Sequence, residues 1–354
     1  MSTQPQIVSV RDHGARGDGQ SDDTQAIHRA AAALPERDGV LFFPPGHYLT
    51  APIATRPFTT YMGHSSWAYS YRQPGATVLS PVHPEQPCLF LARATQGTRF
   101  TGLTLRGNVP GENPDWPAVR GATHGIHIEQ SDMAVIDNCR VERFSGHGIL
   151  CANGCGVWTI RHSLVLFNRG NGIDADACAD GWIVDTQVTA NREAGVRVMA
   201  SVTITGNRIE HNHRAGLILN PGYVSSIQIT GNLFCTNGGP GLEHDGNLAE
   251  GITVTGNTFR RLADAEQPDD PRLHCQVRLI GFQGLAFVGN AIYCDRQTRS
   301  VATGMILGRL TDSVVANNTL FHAATQELIR DEGGHQNTTI RDNPGRLLAT
   351  DNAG

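Results

Sequence analysis

Most of the chain is built from short runs in which aliphatic or β-branched residues alternate with polar ones and stop after three or four positions at Gly or Asn. Examples are "TITGNRI", "QITGNLF", "TVTGNTF", "AFVGNAI", "VVANNTL" and "TIRDNPG". A period of two reads as strand, and no 3.6-residue period lies between these runs. Gly followed by an aliphatic residue recurs at Gly125-Ile126, Gly148-Ile149, Gly172-Ile173, Gly195-Val196, Gly216-Leu217 and Gly241-Leu242, at intervals of 23, 24, 23, 21 and 25 residues. A second marker, Asn207, Asn232, Asn257, Asn290, Asn318 and Asn343, advances by 25, 25, 33, 28 and 25. Two dozen residues holding two or three short strands describe one coil of a parallel β-helix, and the whole predicts a solenoid of about ten coils. Asparagines at a fixed place, including a third column of Asn168, Asn191, Asn212 and Asn237, are expected to tolerate left-handed backbone and hydrogen-bond along the stack. The 33-residue interval predicts a projecting loop around "LADAEQPDDPRLHC".

One segment has a helical pattern. In "SDDTQAIHRAAAAL", Ser21 or Asp22 is placed to cap a helix whose apolar face is Ile27, Ala30, Ala31 and Leu34. A solenoid needs its open end covered, which is the expected use of this helix. The division that follows is a cap over 1–60, continuous with a β-helix over 61–346 and a tail over 347–354, in one domain. The stretch "VRDHGARGDGQSDDTQAIHRAAAAL" followed by "GVLFFPPGHYLT" resembles the N-terminal signature of the pectate-lyase-like superfamily. That superfamily of right-handed parallel β-helices includes polygalacturonases, lyases, epimerases, fructan transferases and phage tail spikes. The resemblance implies an all-β fold and a carbohydrate partner, with calcium as a cofactor if the chain is a lyase and none otherwise. It also implies a homo-oligomer, a trimer being favoured, and assigns Asp22 and Asp23 to the cap.

Composition narrows the chemistry. The 354 residues carry 33 acidic and 28 basic side chains, a net charge of -5, with no basic cluster, so neither nucleic acid nor an anionic membrane is an expected partner. Every basic residue of the Lys and Arg class is arginine. Schiff-base chemistry, a lysine base and a P-loop are thereby excluded. No basic N-terminal region precedes an apolar core, so the expected location is cytoplasmic, with phage-type or non-classical export as the alternative. The eight cysteines lack zinc-site spacing and read as small buried thiols.

Aligning the coils on the Gly-aliphatic marker assigns faces, because side chains alternate along a strand. The first outward column is His127, Leu150, Asp174, Arg197, Ile218 and Glu243. The inward column is Ile128, Cys151, Ala175, Val198, Leu219 and His244, and the second outward column is Glu129, Ala152, Asp176, Met199, Asn220 and Asp245. "GNGIDADACADG" is thereby expected to set Asp174 and Asp176 side by side, with Arg197 one coil above and His127 and Glu129 roughly 10 Å below. Glu243 and Asp245 repeat the two-acid pattern. Such acids serve equally as solvated surface, as a calcium site, or as a catalytic pair in which one carboxylate raises the pKa of the other.

The expected activity is cleavage or rearrangement of glycosidic bonds, with Asp174 and Asp176 as the catalytic pair and Glu243 and Asp245 in reserve. A polyuronate lyase or epimerase and a non-catalytic glycan-binding module are the alternatives. Substrate contacts are expected from Arg197, His127, Glu129 and His147, and from Trp67, Tyr69 and Tyr71 in "SSWAYSYRQPG", which are two residues apart. His147, in "GHG", also reads as a turn histidine satisfied by backbone groups. "NGIDADA" matches the epimerase-like "YGFDPHE" only at Gly172 and Asp174.

Overall fold

The computed structural model describes residues 6–65, 75–109, 123–261, 270–294 and 301–348. The chain divides into two compact units, Met1–Trp182 and Ile183–Gly354. Three parallel sheets of 13, 13 and 12 strands account for almost all regular structure. The count exceeds the ten or so coils expected, because segments assigned to the cap join the first sheet. Gln6–Ser9 pairs with Gly39–Phe42, and the latter with Thr60–Met62.

In the first unit a coil gives one strand to each sheet in turn. Val135–Asp137, Arg140–Glu142 and Ile149–Ala152 form one round, and Trp158–Arg161, Leu164–Leu166 and Ile173–Ala175 the next. Val135 sits beside Thr159 and Ile149 beside Ile173, so one round advances 24 residues, as the markers require. Ile136, Val141, Ile149, Ile160, Val165 and Ile173 fill the interior and are buried. Tyr61 stacks on Phe100 at 5.6 Å near the N-terminal end of this core.

The helix Thr24–Ala32 buries Ala26, Ile27 and Ala30. Its N-cap is Asp23 rather than Ser21 or Asp22, yet Asp23 makes no side-chain cap bond. Its carboxylate turns back to accept from the Arg16 and Gly17 amides at 2.6 and 3.0 Å. Asp22 takes the Thr24 amide at 2.9 Å. Both acids are thus occupied in holding the cap.

The second unit contains the asparagine stack. Each of Asn207, Asn232, Asn257, Asn290 and Asn318 donates its side-chain amide to the Oδ1 of the next, ending on Asn343, at 2.9–3.0 Å. Asn191, Asn212 and Asn237 form a shorter ladder in the same way. The left-handed backbone belongs to the residue before each asparagine: Gly206, Gly231, Gly256, Gly289, Asn317 and Asp342 have φ between 52° and 70°. Glycine or a short polar residue is the side chain that this conformation admits at least cost. Beside the ladders, Phe234 stacks on Phe259 at 4.9 Å. The eight cysteines are free and buried. Among the described residues no helix is long and apolar enough to cross a membrane.

Candidate functional site

In the first unit, His127 lies beside Leu150 and Leu150 beside Asp174, the order that the marker alignment predicts. Two further histidines complete the group. His124 opens the strand His124–Glu129, and His147 occupies the turn before Ile149–Ala152. Nδ1 of His124 accepts the His147 amide, and Nδ1 of His147 accepts the Asn171 amide, each at 2.9 Å. The two imidazoles stack with centroids 5.2 Å apart and planes 6° from parallel. Glycine permits this: a Cβ on Gly146 or Gly170 would lie 2.6 Å from Nδ1 of His124 or His147.

The hydrogen bonds fix the chemistry of these rings. An Nδ1 that accepts an amide proton holds the neutral ring as the Nε2–H tautomer, and protonating it would set hydrogen against hydrogen. Burial lowers the pKa of His124 to about 4, with His147 and His127 adding to the effect and Asp174 opposing it. Burial also lowers that of His127, against the pull of Glu129. In His124 and His147 the accepting Nδ1 thus leaves Nε2–H as the donor of a neutral ring.

Asp174 is 6% exposed. Its Oδ2 accepts from the Asn171 side chain at 2.6 Å and lies 3.8 Å from Nε2 of His147, while Oδ1 accepts the Asp176 amide at 3.3 Å. The last contact departs from the side-by-side acids expected of "DAD". The strand ends at Ala175, so Asp176 enters a turn and offers its backbone to Asp174, an Asx-type closure. Glu129 pairs with Arg93 and approaches Nε2 of His127 at 3.4 Å.

The second unit holds a different acidic group. The strand Leu242–Glu250 runs for nine residues, so Glu243 and Asp245 keep strand alternation and share a face. Glu243 stands beside Arg278, whose Nε and Nη2 reach Asp245 Oδ2 at 3.1 and 2.8 Å. Burial raises the Glu243 carboxyl above its ordinary range, with Arg214 and Arg278 opposing. His244 points inward as expected and is fully buried. Arg197 lies half-buried in the strand Val196–Val198, beside Ile218. Trp67, Tyr69 and Tyr71 lie outside the described residues. Among the described residues no group of three or more His, Cys, Asp and Glu is arranged to hold a metal ion.

A family model described as "Right handed beta helix region" matches residues 124–265. The chain has the right-handed parallel β-helix fold, and the matched region covers less than half of it. This β-helix superposes on the A-module of the mannuronan C-5 epimerase AlgE6 of Azotobacter vinelandii with a TM-score of 0.73 and 19% identity, over 96% of this chain and 99% of that one. PfbA, a surface adhesin of Streptococcus pneumoniae, gives 0.73 and 16% identity over 96% and 91%. Such identities establish a shared fold. In sequence, the β-helix is 25% identical over 213 residues to the mannuronan C5-epimerase AlgE1 of Azotobacter vinelandii, spanning 56% of this chain and 15% of that relative's length.

Two residues of the histidine group, His124 and Asn171, are absent from the set of site residues expected from sequence. The signal for His124 is present in the text: "THG" and "SGHG" put His124 and His147 in the same place of successive coils, 23 residues apart. Nothing in the local sequence announces Asn171, because its role depends on where Asp174 and His147 converge.

Proposed function

We propose that this β-helix acts on a polyuronic acid and moves the proton on C5 of a uronic acid residue, with Asp174 and its histidines as the site. One observation carries the reading: the enclosed carboxylate of Asp174 lies 3.8 Å from Nε2 of His147, an imidazole that the Asn171 amide holds as a neutral Nε2–H donor. A C5 proton adjacent to a carboxylate leaves as negative charge spreads into that carboxylate. The step therefore needs a base and hydrogen-bond donors aimed at the developing charge. Asp174 accepts the proton. His147, held as the Nε2–H tautomer, donates to the charge without competing for the proton. Delivery of a solvent proton to the opposite face inverts C5, with Asp174 then releasing its proton to water, whereas passing that proton from Asp174 to the departing C4 oxygen leaves an unsaturated sugar and a new hydroxyl.

The mannuronan C5-epimerases among its relatives support this choice over glycosidic hydrolysis. With no lysine in the chain, the cation that meets the substrate carboxylate is an arginine, and Arg93 is exposed beside Glu129. The test is incubation with polymannuronate in deuterium oxide, read by NMR. Deuterium at C5 with inverted stereochemistry, or an unsaturated product, is expected. Hydrolysis of neutral glycans without exchange at C5 of any polyuronate would overturn the reading.

Glycoside hydrolysis is the second reading, favoured by one observation in the second unit. Burial raises the Glu243 carboxyl above its ordinary range, and on the same strand face Arg278 pairs with Asp245, an arrangement that suits a glycosidase acid and its partner.

A further inference from the structure

The first unit also carries an open groove of about 310 Å³ that none of the chemistry above uses. Arg37, Phe58, Thr95, Gln96, Gln130 and Asp132 line it. Its volume falls at the lower end of small-molecule sites. Backbone bonds between successive coils build its floor: the Phe58 amide donates to Gln96 O at 2.7 Å, Gly97 to Asp132 O at 3.0 Å, and Asp132 to Thr95 O at 3.2 Å. Phe58 packs so closely on Gly97 that a Cβ there would lie 2.6 Å from the ring. The ring's face carries the Arg37 guanidinium, 4.4 Å from the centroid.

Arg37 is exposed, and among the described residues no carboxylate pairs with it. Stacking on Phe58 restrains the guanidinium while leaving its N–H groups free to donate outward. Thr95 is 6% exposed, and its hydroxyl oxygen is buried without a hydrogen-bond partner. A buried hydroxyl left unpaired is costly, which gives the groove's lining one unmet hydrogen bond. The same lining includes Gln96, Gln130 and Asp132, whose carboxylate uses one oxygen to accept the Gly156 amide at 2.9 Å.

We infer that this groove is a sugar-binding subsite, one that seats a uronic acid residue with its carboxylate on Arg37 and its hydroxyls on Asp132, Gln96 and Gln130. The uronate part of the inference rests on the proposed function. The groove is connected to the histidine group through the chain itself. Ala94 follows Arg93, and Gln130 follows Glu129, the ion pair that borders His127. Gln130 directly follows the strand that carries His127, so the groove borders the end of that strand and is placed to receive a neighbouring residue of an oligosaccharide held at the histidines. The subsite thus grips a residue of the polymer other than the reacting one.

The experiment compares wild type with Arg37→Ala and Asp132→Asn, the latter retaining an acceptor for the Gly156 amide. Binding of oligomannuronates and of neutral glucan oligosaccharides is measured by calorimetry, and turnover by C5 exchange, each over a series of chain lengths. Losing a charge-assisted contact is expected to raise Kd and KM for long oligomannuronates about tenfold in Arg37→Ala, with the effect on KM rather than kcat and an unchanged melting temperature. Turnover by wild type with Arg37→Ala indistinguishable at every length would overturn the groove and leave the proposed function standing. Binding of neutral oligosaccharides that Arg37→Ala abolishes, without C5 exchange on any polyuronate, would keep a sugar subsite and overturn its uronate specificity. Failure of both sugar classes to bind overturns the inference outright.

Discussion

The two acidic groups begin from the same pattern, an acid, a core residue and an acid, and end in different chemistry. In "DAD" the strand stops at Ala175, Asp176 enters a turn and gives its amide to Asp174, and Asp174 lies beside Asn171 and His147. In "EHD" the strand continues to Glu250, both acids stay on one face, and an arginine rather than a histidine meets them. Strand length after the marker therefore decides whether two acids act as a pair. Their neighbours differ too: burial raises the Glu243 carboxyl against two arginines, whereas Asp174 meets Asn171 and His147.

The strongest way to break this comparison is Asp174→Asn. Removing a proton acceptor is expected to lower C5 exchange by about 10² to 10⁴-fold while leaving thermal unfolding nearly unchanged. Near-normal exchange would move the site away from the histidine group. The parallel change, Glu243→Gln, is expected to leave that exchange within about twofold, because no contact described ties the second group to it. If instead Glu243→Gln alone eliminates hydrolysis of a neutral glycan, the second group is the active one.

Stability distinguishes the regions as well. Asn257→Ala in the second unit removes an amide that donates to Asn290 Oδ1 and Ile229 O, and an oxygen that accepts from Asn232. The buried groups left unpaired are expected to cost about 2–4 kcal/mol, read as a lower melting temperature or denaturant midpoint.

A further expected effect is on the pH dependence of stability. The folded pKa of His124, about 4, lies below its ordinary 6.5, so the unfolded chain binds the extra proton first. Stability contributed by neutral His124 is whole above pH 6.5 and declines as pH falls towards 4. Replacing His124 by Asn, whose Oδ1 can still accept the His147 amide, is expected to flatten that decline. Denaturant titrations across this range would check it, and an unaltered slope would assign the pH dependence to other groups.

The solenoid was legible because its cause is repetitive. A coil that advances two dozen residues must place an inward aliphatic, a tight turn and a stacked amide at the same point each time, and Gly125, Gly148 and Gly172, like Asn207, Asn232 and Asn257, record that demand directly. Side-chain alternation then carried the reading as far as the column His127, Leu150, Asp174. It failed at Asp176, where the chain left the strand and alternation ceased to apply.

Sequence by itself determined the coil, its period, the inward and outward columns and the capping helix, because each follows from local patterning repeated along the chain. Only the tertiary structure decided which outward residues meet: the His124 and His147 rings stacked over glycines, Asn171 turned onto Asp174, and Arg278 brought from 33 positions away onto Asp245. The reason is physical. Columns are set by a residue's own place in a coil, whereas hydrogen bonds and burial depend on where one coil's turn ends against its neighbour.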